Sequence, residues 1–124
     1  MIRSVTSHLA REIWRLQKTA SWSMQGWRLC WREEKSLRQW AGLNALGWLM
    51  LMLGEFSTAE TALLVALGGL TMVVELLNSA VEATVDYVST DRHPLAKKAK
   101  DIASAAVMVT GGLWGLCWGL IVLG

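Results

Sequence analysis

From residue 2 to about residue 32, apolar positions recur at steps of three and four. Val5, Leu9, Ile13, Leu16 and Ala20 form one stripe, which is the period of a helix. Arg3, Arg11, Arg15, Lys18, Arg28 and Arg32 bring positive charge alongside it, and Trp14, Trp22, Trp27 and Trp31 add amphipathic rings. Basic residues and tryptophans on one amphipathic helix suit a membrane surface with anionic headgroups. The pattern predicts a helix lying on the membrane, with a break near Ser21 to Gly26. A helix of a soluble protein can carry the same stripe, but four tryptophans in eighteen residues are unusual there.

Three apolar runs follow. The first, "WAGLNALGWLMLMLG" at 40–54, spans only about 22 Å at about 1.5 Å per residue. It crosses a hydrocarbon core of about 30 Å only if Leu37 to Gln39 join the helix, Arg38 snorkels or the bilayer thins. "EFSTAE" is a short acidic turn in which Ser57 and Glu60 have the spacing of a capping box. The second run carries a helix over 59–89, and "STDRHPLAKK" breaks it at Pro94. In the third, 23 uncharged residues follow Asp101, ample for a crossing. Gly115 and Gly119, with Ala103, Ser104, Ala105 and Ala106, permit close helix packing. The expectation is one all-α integral membrane domain over 1–124, with a surface helix at 1–34 and transmembrane helices at 37–54, 59–89 and 97–123.

Charge fixes the orientation. All 12 Lys and Arg lie in two blocks, 3–38 and 92–100, so the net charge of +2 hides a strong segregation. Both blocks flank membrane segments, and the charges between the first two runs are Glu55 and Glu60. The positive-inside rule then places the N-terminal helix and the 90–100 loop in the cytoplasm. The 124 residues are 53% apolar, high for a soluble protein, and three crossings leave no room for a separate soluble domain. The N-terminus lacks the features of a cleaved signal peptide, so insertion without processing is expected. Cys30 and Cys117 read as free thiols, with no zinc spacing around them.

Against this background, "ELLNSAVEATVD" at 75–86 is conspicuous, because 14 uncharged residues precede Glu75. At about 100° per residue, Glu75, Asn78, Ser79, Glu82 and Asp86 fall on one stripe about 100° wide. Glu75 is deepest in the bilayer, with Glu82 about 10 Å and Asp86 about 16 Å nearer the cytoplasm. A carboxylate at membrane depth costs roughly 3 kcal/mol or more and calls for a function. The bland readings are a solvated face, a partner for Arg15 or Arg38, or, for Asn78, a bridge between helices. Downstream, "RHPLAKKAKD" gathers Arg92, His93, Lys97, Lys98, Lys100 and Asp101 at the cytoplasmic level. Lysines beside carboxylates that hold Mg²⁺ suit phosphate handling, although Lys97 and Lys98 equally suit a membrane anchor. Glu33 and Glu34 either add a carboxylate to this site or form a solvated pair. No Walker loop or dinucleotide fingerprint is present.

The runs "VELLNSAVEATVD", "RHPLAKKAKD" and "SAAV" closely resemble the prokaryotic diacylglycerol kinase family of small membrane enzymes, which includes undecaprenol kinases. Gly26, Arg28, Glu34, Arg38 and Gln39 are similar in order to the family's pattern before its first span. Departures stand at Trp22, Met24, Leu37 and Trp40, and they bear on the lipid-facing details. The resemblance implies a homotrimer of chains with one surface helix and three transmembrane helices, in the bacterial inner membrane with its site toward the cytoplasm. It implies transfer of the γ-phosphate of MgATP to a lipid hydroxyl, with diacylglycerol as the substrate and undecaprenol as the alternative. A small structural protein retaining this fold is a third reading, against which the intact motif argues. By motif, Glu75 becomes the general base, and Glu34 and Glu82 hold Mg²⁺. Arg15, Glu34, Asn78, Glu82, His93, Lys100 and Asp101 contact the nucleotide, while Arg15, Arg28, Arg38 and Glu75 meet the lipid. Partners are then ATP, membrane lipid and two further copies of the chain, with no nucleic acid.

Overall fold

A computed structural model describes the backbone of residues 2–124 and the side chains of residue 8 and residues 11–124. Four helices make up the fold: α1 (Ile2–Glu33), α2 (Lys35–Leu53), α3 (Thr58–Val88) and α4 (Pro94–Leu123). Residues 1–33 form one compact unit and residues 34–124 a second.

Within the first unit, α1 runs unbroken to Glu33, so the break expected near Ser21 to Gly26 is absent. Thr19 donates to the carbonyl of Arg15 at 2.9 Å and Ser23 to that of Thr19 at 3.1 Å. Their hydroxyls fold back onto the helix and do not compete with it, while a single Gly26 costs only about 1 kcal/mol. Trp14, Lys18 and Trp22 stand one turn apart, and the Lys18 ammonium lies 4.6 Å from one ring centroid and 5.3 Å from the other. Trp27 and Trp31 stack at 6.4 Å. Ile13 and Leu16 are exposed, as an apolar face meant for lipid requires. The side chains of Arg3, Val5 and Leu9, assigned to the two faces of this helix, lie outside the described residues.

In the second unit the three helices alternate in direction. Ser36 meets Glu75 and Asn44 lies against Gly68, so α2 and α3 are antiparallel; the pairs Lys100–Asp86 and Trp114–Leu64 show the same for α3 and α4. Helix starts follow the sequence signals. Ser57 Oγ accepts from the Glu60 amide at 3.3 Å while Glu60 Oε2 accepts from the Ser57 amide at 2.7 Å, which completes the capping box. Pro94 takes the first position of α4, where its missing N–H costs nothing. That moves the start of α4 from the expected residue 97 to 94. Likewise α2 begins at Lys35 and not at 37, so Leu37, Arg38 and Gln39 do join it.

Small residues set the packing within this unit. A side-chain carbon at Gly68 would fall 2.1 Å from Asn44 Oδ1, and one at Gly111 would fall 2.2 Å from the Trp40 ring. Gly47 lies against Trp114 and Trp118, each of which would come within 3.2 Å of such a carbon. Gly115 and Gly119 have no neighbour this close among the described residues. Within the unit, the close approaches are made by Gly47 and Gly111 against indoles and by Gly68 against the Asn44 amide. Leu37, Leu64, Val107 and Trp114 are the buried apolar core, and the Trp114 indole donates to the Leu64 carbonyl at 3.0 Å.

Among the described residues two helices, α3 and α4, are long and apolar enough to cross a membrane, with mean hydropathies of 1.8 and 1.9. Leu70, Val73, Leu77, Ile102, Val109 and Leu113 stay exposed on them. Both cysteines are free thiols.

Candidate functional site

The polar stripe of α3 is graded in burial along its length. Glu75 is 2% exposed and Ser79 7%, Asn78 and Glu82 are half-buried, and Asp86 is exposed. The order follows from topology: the start of α2 packs against α3 at Glu75, and the C-terminal turns of α3 extend beyond the start of α2 toward the 89–93 loop. Glu75 is held by a second helix, because Ser36, at the second position of α2, donates through Oγ to Glu75 Oε1. The carboxylate therefore meets the first turn of α2, whose unsatisfied N–H groups make that end positive. Glu34 is the N-cap residue of α2, and its side chain makes no cap hydrogen bond to that helix. Given the antiparallel packing, it lies on the Asn78 side of Ser36.

One turn on, Asn78 Nδ2 donates to Glu82 Oε1 at 3.3 Å. Asn78 Oδ1 is buried without a hydrogen-bond partner among the described residues. A buried amide oxygen with spare acceptor capacity beside a carboxylate is the hard-oxygen chemistry that Mg²⁺ accepts. No group of three or more His, Cys, Asp or Glu suited to a metal occurs among the described residues. Mg²⁺ needs no such cage, since one or two carboxylates, water and substrate phosphates suffice. The residues at Glu82 thus fit a nucleotide-borne Mg²⁺ better than a permanent metal.

Beyond Glu82 a cleft of about 690 Å³ opens between the end of α3, the 89–93 loop and the start of α4, lined by Asp86, Arg92, His93, Lys97, Lys100 and Asp101 among others. Its size is that of a small-molecule site. Lys100 Nζ donates to Asp86 Oδ1 at 2.6 Å, which ties α4 to α3, and Lys97 pairs with Asp101 one turn away. His93 caps α4, its Nδ1 accepting from the Leu95 amide at 3.2 Å.

The structure thus brings His93, Lys100 and Asp101 to one cleft, and Glu75, Asn78 and Glu82 to the stripe that leads from it. Arg38 is exposed on α2. Arg15 pairs with Glu12 at 3.1 Å on α1, where Arg28 is exposed; both belong to the first unit. Two features were missed from sequence, Ser36 and the partner of Asp86. Ser36 stood beside Glu34 as a small polar residue in a first turn, but nothing local joins it to a residue 39 positions away.

Comparison with known proteins bears on what this arrangement does. The sequence profile of the prokaryotic diacylglycerol kinase family matches residues 21–122. A diacylglycerol kinase of Pseudomonas aeruginosa is 42% identical over 110 residues, which cover 89% of each chain. One from Helicobacter pylori is 38% identical over 88% of this chain and 85% of its own. That of Escherichia coli strain K12 is 34% identical over 77% of this chain and 78% of its own.

Proposed function

The chain belongs to the prokaryotic diacylglycerol kinase family, and from that premise we propose that it transfers the γ-phosphate of MgATP to the hydroxyl of diacylglycerol, giving phosphatidic acid and ADP. The observation that carries the reading to this chain's own residues is the buried Glu75 on an apolar helix, at the deep end of a stripe that leads out to a cleft lined by both lysines and carboxylates.

In this reading the nucleotide occupies the cleft, with Lys100 and Asp101 exchanging their present ion pairs for contacts to it and His93 at its edge. Glu34, Asn78 and Glu82 complete the nucleotide contacts within this unit, and Arg38 meets the lipid headgroup region. Glu34 and Glu82 would hold the Mg²⁺ that accompanies ATP, and the ion would supply neutralisation of charge on the phosphates. Glu75 accepts the proton of the lipid hydroxyl as that oxygen forms its bond to the γ-phosphorus. The bond from the γ-phosphorus to the bridging oxygen breaks, and ADP departs with that electron pair. The depths agree with the roles: a lipid hydroxyl arrives from the bilayer side, where Glu75 lies, and nucleotide from the water side. Holding the two in line is most of what catalysis of phosphoryl transfer requires.

The same reading makes α2 the third membrane crossing, at 19 residues and about 28 Å. It also makes the protein a homotrimer of the bacterial inner membrane, with the cleft facing the cytoplasm and one domain per chain. Exposed apolar residues on α3 and α4 then meet lipid or neighbouring copies. Purified protein supplied with radiolabelled MgATP and either diacylglycerol or undecaprenol tests the proposal. Labelled phosphatidic acid is expected; label in undecaprenol alone would reassign the substrate, and label in neither would refute kinase activity.

A further inference from the structure

Ser36 has no part in the scheme above, yet it makes the hydrogen bond that reaches the proposed base. Thr71, Ser79, Thr84 and Thr110 each donate to a carbonyl four residues back in their own helix. That is the usual fate of a hydroxyl within an apolar helix. Ser36 differs by position. At the second residue of α2 it has no carbonyl of its own helix four residues behind it, and its proton goes to another element. It goes to Glu75 Oε1, on a carboxylate that is 2% exposed and so withdrawn from water.

A glutamate rotates about three side-chain bonds, and a base must present one oxygen toward the proton it takes. A misplacement of about 1 Å costs up to a hundredfold in rate. We propose that Ser36 is a positioning residue for Glu75. Its hydroxyl fixes one carboxylate oxygen of the base, so that the other is presented to the lipid hydroxyl. The link also ties the geometry of the base to the docking of α2 on α3, which makes the first turn of α2 part of the phosphoryl-transfer machinery. Ser36 exchanges no proton with substrate and acts only through Glu75. The inference therefore rests on the reading of Glu75 as the base.

The test compares full-length wild type, Ser36→Ala, Ser36→Thr, Glu75→Gln and the double variant Glu75→Gln/Ser36→Ala, each assayed for phosphoryl transfer to diacylglycerol. Ser36→Ala is expected to lower kcat about tenfold while KM for MgATP stays within about twofold, because orientation of the base and not nucleotide binding is lost. Ser36→Thr, which keeps the hydroxyl, is expected to retain at least about half of kcat. In the Glu75→Gln background, Ser36→Ala is expected to change the residual rate by less than about twofold, since residues acting as a unit are not additive. An unchanged kcat in Ser36→Ala overturns the proposal, and so does an equal tenfold fall in the Glu75→Gln background, which would make Ser36 a packing contact independent of the base. The two readings separate cleanly: Glu75→Gln inactive with Ser36→Ala normal defeats Ser36 alone, whereas Glu75→Gln with wild-type turnover defeats both.

Discussion

Lys100 Nζ lies 2.6 Å from Asp86 Oδ1, closing α4 onto α3 across the loop that joins them. The pair is 34% exposed on the lysine side and 54% on the aspartate side, so water screens it. Its removal by Asp86→Asn is expected to change stability by less than about 1 kcal/mol, read as a small shift in thermal unfolding in detergent. Lys100→Met is expected to behave differently. A charge that neutralises phosphate is lost, and kcat/KM for MgATP falls by at least about tenfold with folding intact. Equal, minor effects of the two variants would show that Lys100 serves only the ion pair.

The contact between Trp114 and Leu64 is of another kind. The indole N–H meets the carbonyl at 3.0 Å inside the three-helix unit, and Trp114 is 7% exposed. Trp114→Phe keeps most of the ring's apolar area but removes the donor. The Leu64 carbonyl keeps its helical partner, so the cost is one net hydrogen bond, about 1 kcal/mol. Thermal unfolding of the two proteins in one detergent checks this.

Gly111 faces the Trp40 ring so closely that a side-chain carbon would fall 2.2 Å from it. Gly111→Ala is accordingly expected to destabilise by about 1–3 kcal/mol through overpacking. Adding Trp40→Phe, which shortens the ring, is expected to recover part of that loss. The double-mutant cycle in unfolding free energy measures the coupling, and strict additivity would mean that the two residues do not compete for the same space.

These contacts mark where the sequence stops being informative. The stripe from Glu75 to Asp86 and the capping box at Ser57 and Glu60 depend on neighbours within one or two turns, so a 3.6-residue period and short-range signals suffice for them. Ser36 and Glu75 are 39 residues apart, and Trp114 and Leu64 are 50 apart. Such pairs depend on the register of one helix against another, which no local pattern encodes. In the same way, Gly47, Gly68 and Gly111 face indoles and an amide on other helices, which set helix separation in this unit. The continuity of α1 through Gly26 was likewise missed, because the composition of that stretch does not reveal hydroxyls folded back on their own helix.

The most direct test of the account is Glu75→Gln, a change of one atom in a side chain that is 2% exposed. Purified variant and wild type are compared for phosphoryl transfer to diacylglycerol, for MgATP binding and for assembly state. Turnover is predicted to fall by at least about a hundredfold, the scale of a positioned general base, while nucleotide binding and assembly match wild type. Turnover within about threefold of wild type would contradict the account, because the buried carboxylate on which the site is built would then take no part in the chemistry.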